Sequence, residues 1–316
     1  MTIELLDRRL IFVTGKGGVG KTSIAAALGQ LAASRGKRTL LCEVDAKGNL
    51  AGAFETGPTE FREREIAPRL WAMSMDTEAS LKEYLGLQLK LPLLSRIGLL
   101  ARTFDFVANA APGVKEILVV GKLAYEVREE HFDLVVVDAS ASGHIVGQLA
   151  APQAIKDLVQ VGMVRDQTGW MIDILSDPAR TGVVIVATPE EMPVNETLDL
   201  AARLRDETTV DLAAIVVNRV LPELFTRGEE EVFRALREPA AVAALARAVD
   251  GPVEPLLDGA ELAVRLRRTR AEHLGALRDG LPAGVEMLYV PELFQRTHGV
   301  RATGQIAEAL GAELGY

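Results

Sequence analysis

The sequence predicts an α/β protein built on a doubly wound, mostly parallel sheet, and three observations lead there. Short continuous runs of apolar, β-branched residues recur along the chain, helix-like segments separate them, and several runs end in Asp, Thr, Asn or Pro. A strand buried on both faces reads as an unbroken apolar run, because neither face meets water. Helices between such strands cover the two faces of a parallel sheet. Ligand chemistry then belongs at the carboxyl ends of the strands, where the closing polar residues lie.

The elements follow in order. LIFVTG at 10 to 15 is the first strand, and a glycine-rich turn leads from it into KTSIAAALGQLAASRG, a series of good helix formers. TLLCEVD at 39 to 45 and FDLVVVD at 132 to 138 are the second and third strands, both ending in Asp. VVIVATP at 183 to 189, AAIVVNR at 213 to 219 and VEMLYVP at 285 to 291 complete a set of six. Two segments break the alternation. The first, at 86 to 113, is rich in Leu and Phe; the second, at 149 to 182, carries Met163, Trp170 and Met171. Both are expected to be helical insertions on one domain spanning 1 to 316, since no repeat, low-complexity stretch or linker divides the chain.

At 316 residues, core size is not limiting. The net charge of −9 argues against general affinity for nucleic acid and against a membrane surface held by charge alone. The single cysteine, Cys42, excludes an internal disulfide framework and any thiolate cluster formed by one chain. The N-terminus has no signal-type apolar run, and no stretch offers about 18 consecutive apolar residues for a membrane span. The expectation is a soluble, cytoplasmic protein.

VTGKGGVGKTS, at 13 to 23, satisfies the phosphate-loop spacing G-x-x-x-x-G-K-[ST] through Gly15, Gly20, Lys21 and Thr22. A strand precedes it and a helix follows, which is the context this motif needs. Glycines let the backbone approach phosphates, and the successive N–H groups of Gly15, Lys16, Gly17, Gly18, Val19, Gly20, Lys21, Thr22 and Ser23 form an anion cradle at a helix N-terminus. Lys21 should reach the β- and γ-phosphates and the Thr22 hydroxyl should bind Mg²⁺. Asp45, at the end of the second strand, would emerge beside the phosphates, where a carboxylate can orient or deprotonate a water; capping a helix is its structural alternative. Asp138, at the end of the third strand, is placed to hold Mg²⁺ through water. Lys16 is not required by the loop pattern.

KGGVGKTS resembles the deviant Walker A loop of the P-loop NTPases that include MinD, the ParA partition ATPases, nitrogenase iron protein, and the arsenite-pump and tail-anchored-protein-targeting ATPases. The resemblance implies ATP as ligand and a face-to-face dimer in which Lys16 reaches the partner's nucleotide. A cation delivered in trans stabilises charge on the transferred phosphoryl group only after two subunits close. Beyond the loop, DAKGNLAGAF from Asp45 is similar to the D-P-A-H-N-L-x-x-x-F switch I of the arsenite-pump and tail-anchored-targeting branch, with Asn49, Leu50 and Phe54 in place. DASASGHIVGQL from Asp138 resembles its switch II, with Gly143, His144 and Leu149 matching and Ser140-Ala141 departing. NAAPGVKEIL retains Pro112, Gly113 and Glu116 of another segment. By the same resemblance Asn218 contacts adenine and Pro291 lies against the base.

That branch's arsenite pumps bind a metalloid through several cysteines, which Cys42 alone does not supply. Its targeting members form an apolar groove from helices inserted after the two switches, where the 86 to 113 and 149 to 182 segments fall. Leu91, Leu94, Phe104, Met163, Trp170, Met171 and Ile174 suit either a client groove or plain core. RLRRTRAEH, at 265 to 273, reads as a solvated helix face. The function expected is a Mg²⁺-dependent ATPase acting as a dimeric switch, as a homodimer or as a heterodimer with a paralogue, with an apolar segment as candidate client. Neither nucleic acid nor stable membrane insertion is expected. The alternatives are a catalytically weak nucleotide-binding subunit and a positioning ATPase of the ParA and MinD kind.

Overall fold

A computed structural model of the chain describes residues 4–45, 48–89, 113–158, 163–294 and 299–316. In chain order its elements are β1 (Leu10–Gly15), α1 (Lys21–Ser34), β2 (Thr39–Glu43), α2 (Asn49–Ala53), β3 (Arg64–Ala67), β4 (Leu70–Ser74), α3 (Thr77–Leu89), α4 (Val114–Arg128), β5 (Leu134–Asp138), α5 (Ser142–Leu158), α6 (Met163–Leu175), β6 (Thr181–Ala187), α7 (Glu191–Glu207), β7 (Leu212–Val220), α8 (Arg227–Ala235), α9 (Pro239–Val249), α10 (Glu254–Gly280), β8 (Glu286–Pro291) and α11 (Val300–Glu313).

One eight-stranded sheet runs in the order β3-β4-β2-β5-β1-β6-β7-β8. Its pairs are parallel except β3 with β4. The six expected strands are all present. Every residue of β1, β2, β5 and β6 is buried, which is why their sequences lack alternation. The strands β3 and β4 were not anticipated. REIA is short, half charged and exposed at the sheet edge, so it carries no apolar run to read.

Two cores lie on the two faces. Leu10, Phe12, Leu40, Cys42, Val135 and Val137 point to the face covered by α4, α5, α6, α7 and part of α10. Ile11, Val13, Leu41, Leu134 and Val136 point to the other, where Ile24 and Leu28 of α1, Leu50 of α2, and Ile306 and Leu310 of α11 pack. The period of two assigns each strand residue to one face.

The expected insertions fall only partly within the described residues. Residues 90–112 lie outside the described residues, as do Leu91, Leu94 and Phe104, while 86–89 complete α3. The 149 to 182 segment becomes the second half of α5, α6 and the entry to β6, with 159–162 outside the description. Met171 and Ile174 are 5% and 3% exposed and belong to the core. Trp170 is half-buried with the Arg128 guanidinium 5.0 Å from its ring centroid.

A further helical excursion, of which the sequence marks only the helix around 265 to 273, joins β7 to β8 through α8, α9 and α10. No residue of α9 is fully buried, and only Leu257 and Leu277 of α10 are. The RLRRTRAEH stretch lies within α10, and its arginines are engaged. Arg265 pairs with Glu261 at 2.8 Å, Arg268 with Glu230, and Arg270 with Glu190 at 3.6 Å.

A buried ionic cluster ties the edge of the sheet to the helices. Lys122 of α4 donates to Glu126 at 2.7 Å, Glu83 of α3 at 3.0 Å and Glu63, just before β3, at 3.2 Å. Burial alone would lower its pKa, yet the hydrogen bond to Glu126 and the surrounding carboxylates hold it above the ordinary lysine value.

Candidate functional site

The phosphate loop connects β1 to α1 at the carboxyl edge of the sheet. Gly15, Gly18 and Gly20 have φ of 142°, 88° and 97°, a region costly for a side chain. At Gly15 a Cβ would stand 2.2 Å from the Val186 carbonyl oxygen, so glycine is required by the approach of β6 as well as by backbone angle. At Gly20 a Cβ would meet Asn218 Nδ2 at 2.4 Å.

Asn218, at the end of β7, is buried and braces this loop. Its Nδ2 donates to the Val19 carbonyl at 2.8 Å and its Oδ1 accepts the Arg219 N–H at 3.0 Å. Lys21 bends back over the loop and donates to the Lys16 carbonyl at 3.2 Å. Gly17 and Gly18 are exposed, Val19 is buried, and Ser23 is half-buried. Pro291 ends β8 at the same edge and is exposed.

The Thr22 hydroxyl donates to Asp138 Oδ2 at 2.6 Å. Burial, reinforced by the charges of Glu43 and Asp45, pushes the Asp138 carboxyl up to about 6, against the pull of Thr22 and Lys21. A buried carboxylate beside a hydroxyl at the foot of an anion cradle is the donor set that suits Mg²⁺, which takes hard oxygen ligands and keeps several waters. Asp45 lies just beyond β2 and is exposed. On switch II, Thr14 donates to the Ser140 carbonyl at 2.9 Å, joining β1 to that segment, and His144 is exposed on α5.

Two residues here escaped the sequence reading. Glu196 of α7 receives Lys16 Nζ on Oε2 at 2.8 Å and the Ser142 hydroxyl on Oε1. The hydrogen bonds from Lys16 and then Ser142 hold its carboxyl below the usual glutamate value. Glu43, the last residue of β2, is 1% exposed and stands opposite Asp138 in register. The only sequence signal is position: Glu43 closes the buried strand β2, and Glu196 lies in the helix that follows β6.

Sheet order, loop and hydroxyl-carboxylate pair together define a P-loop nucleotide-binding protein. The model of the anion-transporting ATPase family matches residues 8–171 and 160–239, and the chain belongs to that family. Among curated relatives, the chain is 32% identical over 225 residues to the ATPase BagA of Mycobacterium tuberculosis, covering 68% of this chain and 66% of the relative. An arsenical pump-driving ATPase of Acidiphilium multivorum is 29% identical over 242 residues, which is 67% of this chain and 40% of that protein. An ATPase ASNA1 homolog of Entamoeba dispar is 27% identical over 250 residues, covering 67% and 76%. The matched stretch thus spans less than two thirds of the mycobacterial relative. No helix among the described residues is long and apolar enough to cross a membrane.

Proposed function

We propose that the chain is a Mg²⁺-dependent ATPase that works as a nucleotide-driven dimeric switch. The observation that carries this reading is the Thr22 to Asp138 contact at 2.6 Å beneath a left-handed glycine loop that presents Lys16 and Lys21. The loop backbone and Lys21 bind the phosphates of ATP. Thr22 would hold Mg²⁺ directly and Asp138 through water, and the ion would neutralise charge between the β- and γ-phosphates. Asp45 orients the attacking water, for which its exposed position after β2 leaves room. Lys16 acts on the nucleotide of a second copy. Asn218 and Pro291, at the ends of β7 and β8, flank the base, and for Asn218 this requires its amide to exchange the Val19 contact or to act through it.

Both switches connect directly to the segments proposed as a partner surface. Switch I leads through β3 and β4 to α3, which enters the 86 to 113 segment; switch II opens α5, which leads into 149 to 182. A shift of either switch on hydrolysis therefore reaches these helices, where the client surface proposed excludes Met171 and Ile174, which the core takes up. The relatives named for arsenical pumping carry no weight for that ligand here, because the single Cys42 is buried in β2.

The test is light scattering of the purified protein alone, with ADP and with a non-hydrolysable ATP analogue, alongside phosphate release with and without Mg²⁺. A homodimer formed with the ATP analogue and Mg²⁺-dependent turnover are expected. A monomer that binds ATP and releases no phosphate would replace this reading with that of a subunit awaiting a paralogue.

A further inference from the structure

Glu43 presents a problem in physical chemistry that the phosphate site alone does not resolve. It is 1% exposed, and its side chain lies on the α1 face, because Leu41 two residues earlier packs against α1 while Leu40 and Cys42 face the opposite core. Asp138 lies on that same face by the same alternation from Leu134 and Val136, and the register of β2 and β5 sets the two acids side by side. One oxygen, Oε1, accepts the N–H of Asn49 at 2.9 Å, where the switch I segment turns into α2. The other, Oε2, is fully buried with no hydrogen-bond partner among the described residues.

Leaving a buried carboxylate oxygen without a donor, next to a second carboxylate, is costly unless something donates to it in the working state. The nearest built feature is the Thr22 and Asp138 pair, and the hard cation suited to that pair carries water molecules whose hydrogens need acceptors. We infer that Glu43 is a positioning residue of the metal site: its Oε2 accepts a hydrogen bond from a water of the cation held by Thr22, while its Oε1 fixes the start of α2. One side chain would thus join occupancy of the metal site to the conformation of switch I. This inference rests on the ATPase reading above.

Mn²⁺ binding to the ADP complex, followed by electron paramagnetic resonance, tests it. Glu43→Gln keeps the acceptor for Asn49 and removes the charge. It is expected to weaken Mn²⁺ affinity about tenfold, the usual scale for losing an outer-shell partner, and to leave metal-free ADP affinity unchanged. Without metal the variant should melt at or above the wild-type temperature, since a like-charge contact is gone. Glu43→Ser serves as a second variant and should lose Mn²⁺ affinity similarly. Wild-type Mn²⁺ affinity in both variants overturns the inference, and so do two variants that fail to fold, which would make the role structural. A wild-type protein that binds ADP and takes up no Mn²⁺ with it overturns the metal site itself, and the proposed function with it.

Discussion

Lys16 Nζ lies 2.8 Å from Glu196 Oε2 of the same chain, and Glu196 also receives the Ser142 hydroxyl. The lysine that the resemblance assigns to a partner's nucleotide is thus held in cis, by a residue that also grips switch II. Both side chains are partly exposed, at 27% and 35%, so the contact is one that nucleotide or a partner can displace.

Glu196→Gln should therefore ease dimer formation. A partly exposed ion pair contributes about 0.5–1 kcal/mol and a homodimer releases two of them, so the dimer constant with a non-hydrolysable ATP analogue should tighten about five- to thirtyfold, measured by sedimentation. The Glu196 carboxyl is held below its ordinary value, so the pair contributes above the unfolded carboxylate range and is lost as pH falls through the lower folded value. An unchanged dimer constant would show that the cis contact does not restrain Lys16.

Lys16→Ala should keep ATP binding, which the loop backbone and Lys21 provide. It should lower hydrolysis by about 10²- to 10³-fold, the scale for removing one charge-stabilising donor, and should weaken ATP-dependent dimerisation. Full hydrolysis by a strictly monomeric variant would refute action in trans. Fluorescent-nucleotide titration and phosphate release measure the two effects separately.

Asp138→Asn should stabilise the metal-free protein while abolishing its Mg²⁺ response. The folded carboxyl titrates at about 6, above the unfolded value, so the folded state binds more protons between about pH 4 and 6 and wild-type stability falls as pH rises through that window. Above pH 6 the variant should be more stable by about 3 kcal/mol, and the two proteins should converge below about pH 4. Urea denaturation in a chelator at pH 4 and pH 7.5 reads this difference. Equal stability at pH 7.5 would mean that the ionised carboxylate carries no burial penalty.

Lys122→Met leaves Glu126, whose side chain is 3% exposed, without its cation and should cost about 3 kcal/mol at neutral pH. Because the folded lysine is held above its ordinary value, its contribution is fully present below the unfolded lysine range and declines only as pH rises through the folded value. Denaturant unfolding at pH 7 measures the loss. A change under about 1 kcal/mol would show that the apolar replacement compensates for the cluster.

Much of the centre of this molecule was legible in advance. Buried parallel strands must be apolar on both faces, so β1, β2, β5, β6, β7 and β8 stood out, and the loop spacing marked Gly15 to Thr22 because phosphate chemistry restricts the backbone there. The periphery was less so. The edge strand β3 buries too little to show a pattern, and α8 to α10 bury few residues fully, so their helical periodicity does not tell where they pack.

By itself the sequence determined the fold class and the phosphate loop, and it placed Thr22 at a helix start and Asp138 at a strand end, since each depends on local spacing or on strand burial; their contact at 2.6 Å, across 116 residues, is tertiary. Only the tertiary structure decided that Glu196 captures Lys16, that Glu43 stands beside Asp138 on the α1 face, and that Asn218 reaches across to hold the loop at Val19. All three are long-range contacts among the phosphate loop, the strand ends and α7. No local pattern encodes them, because the sheet order brings them together only after β2, β5, β1, β6 and β7 have aligned at one edge.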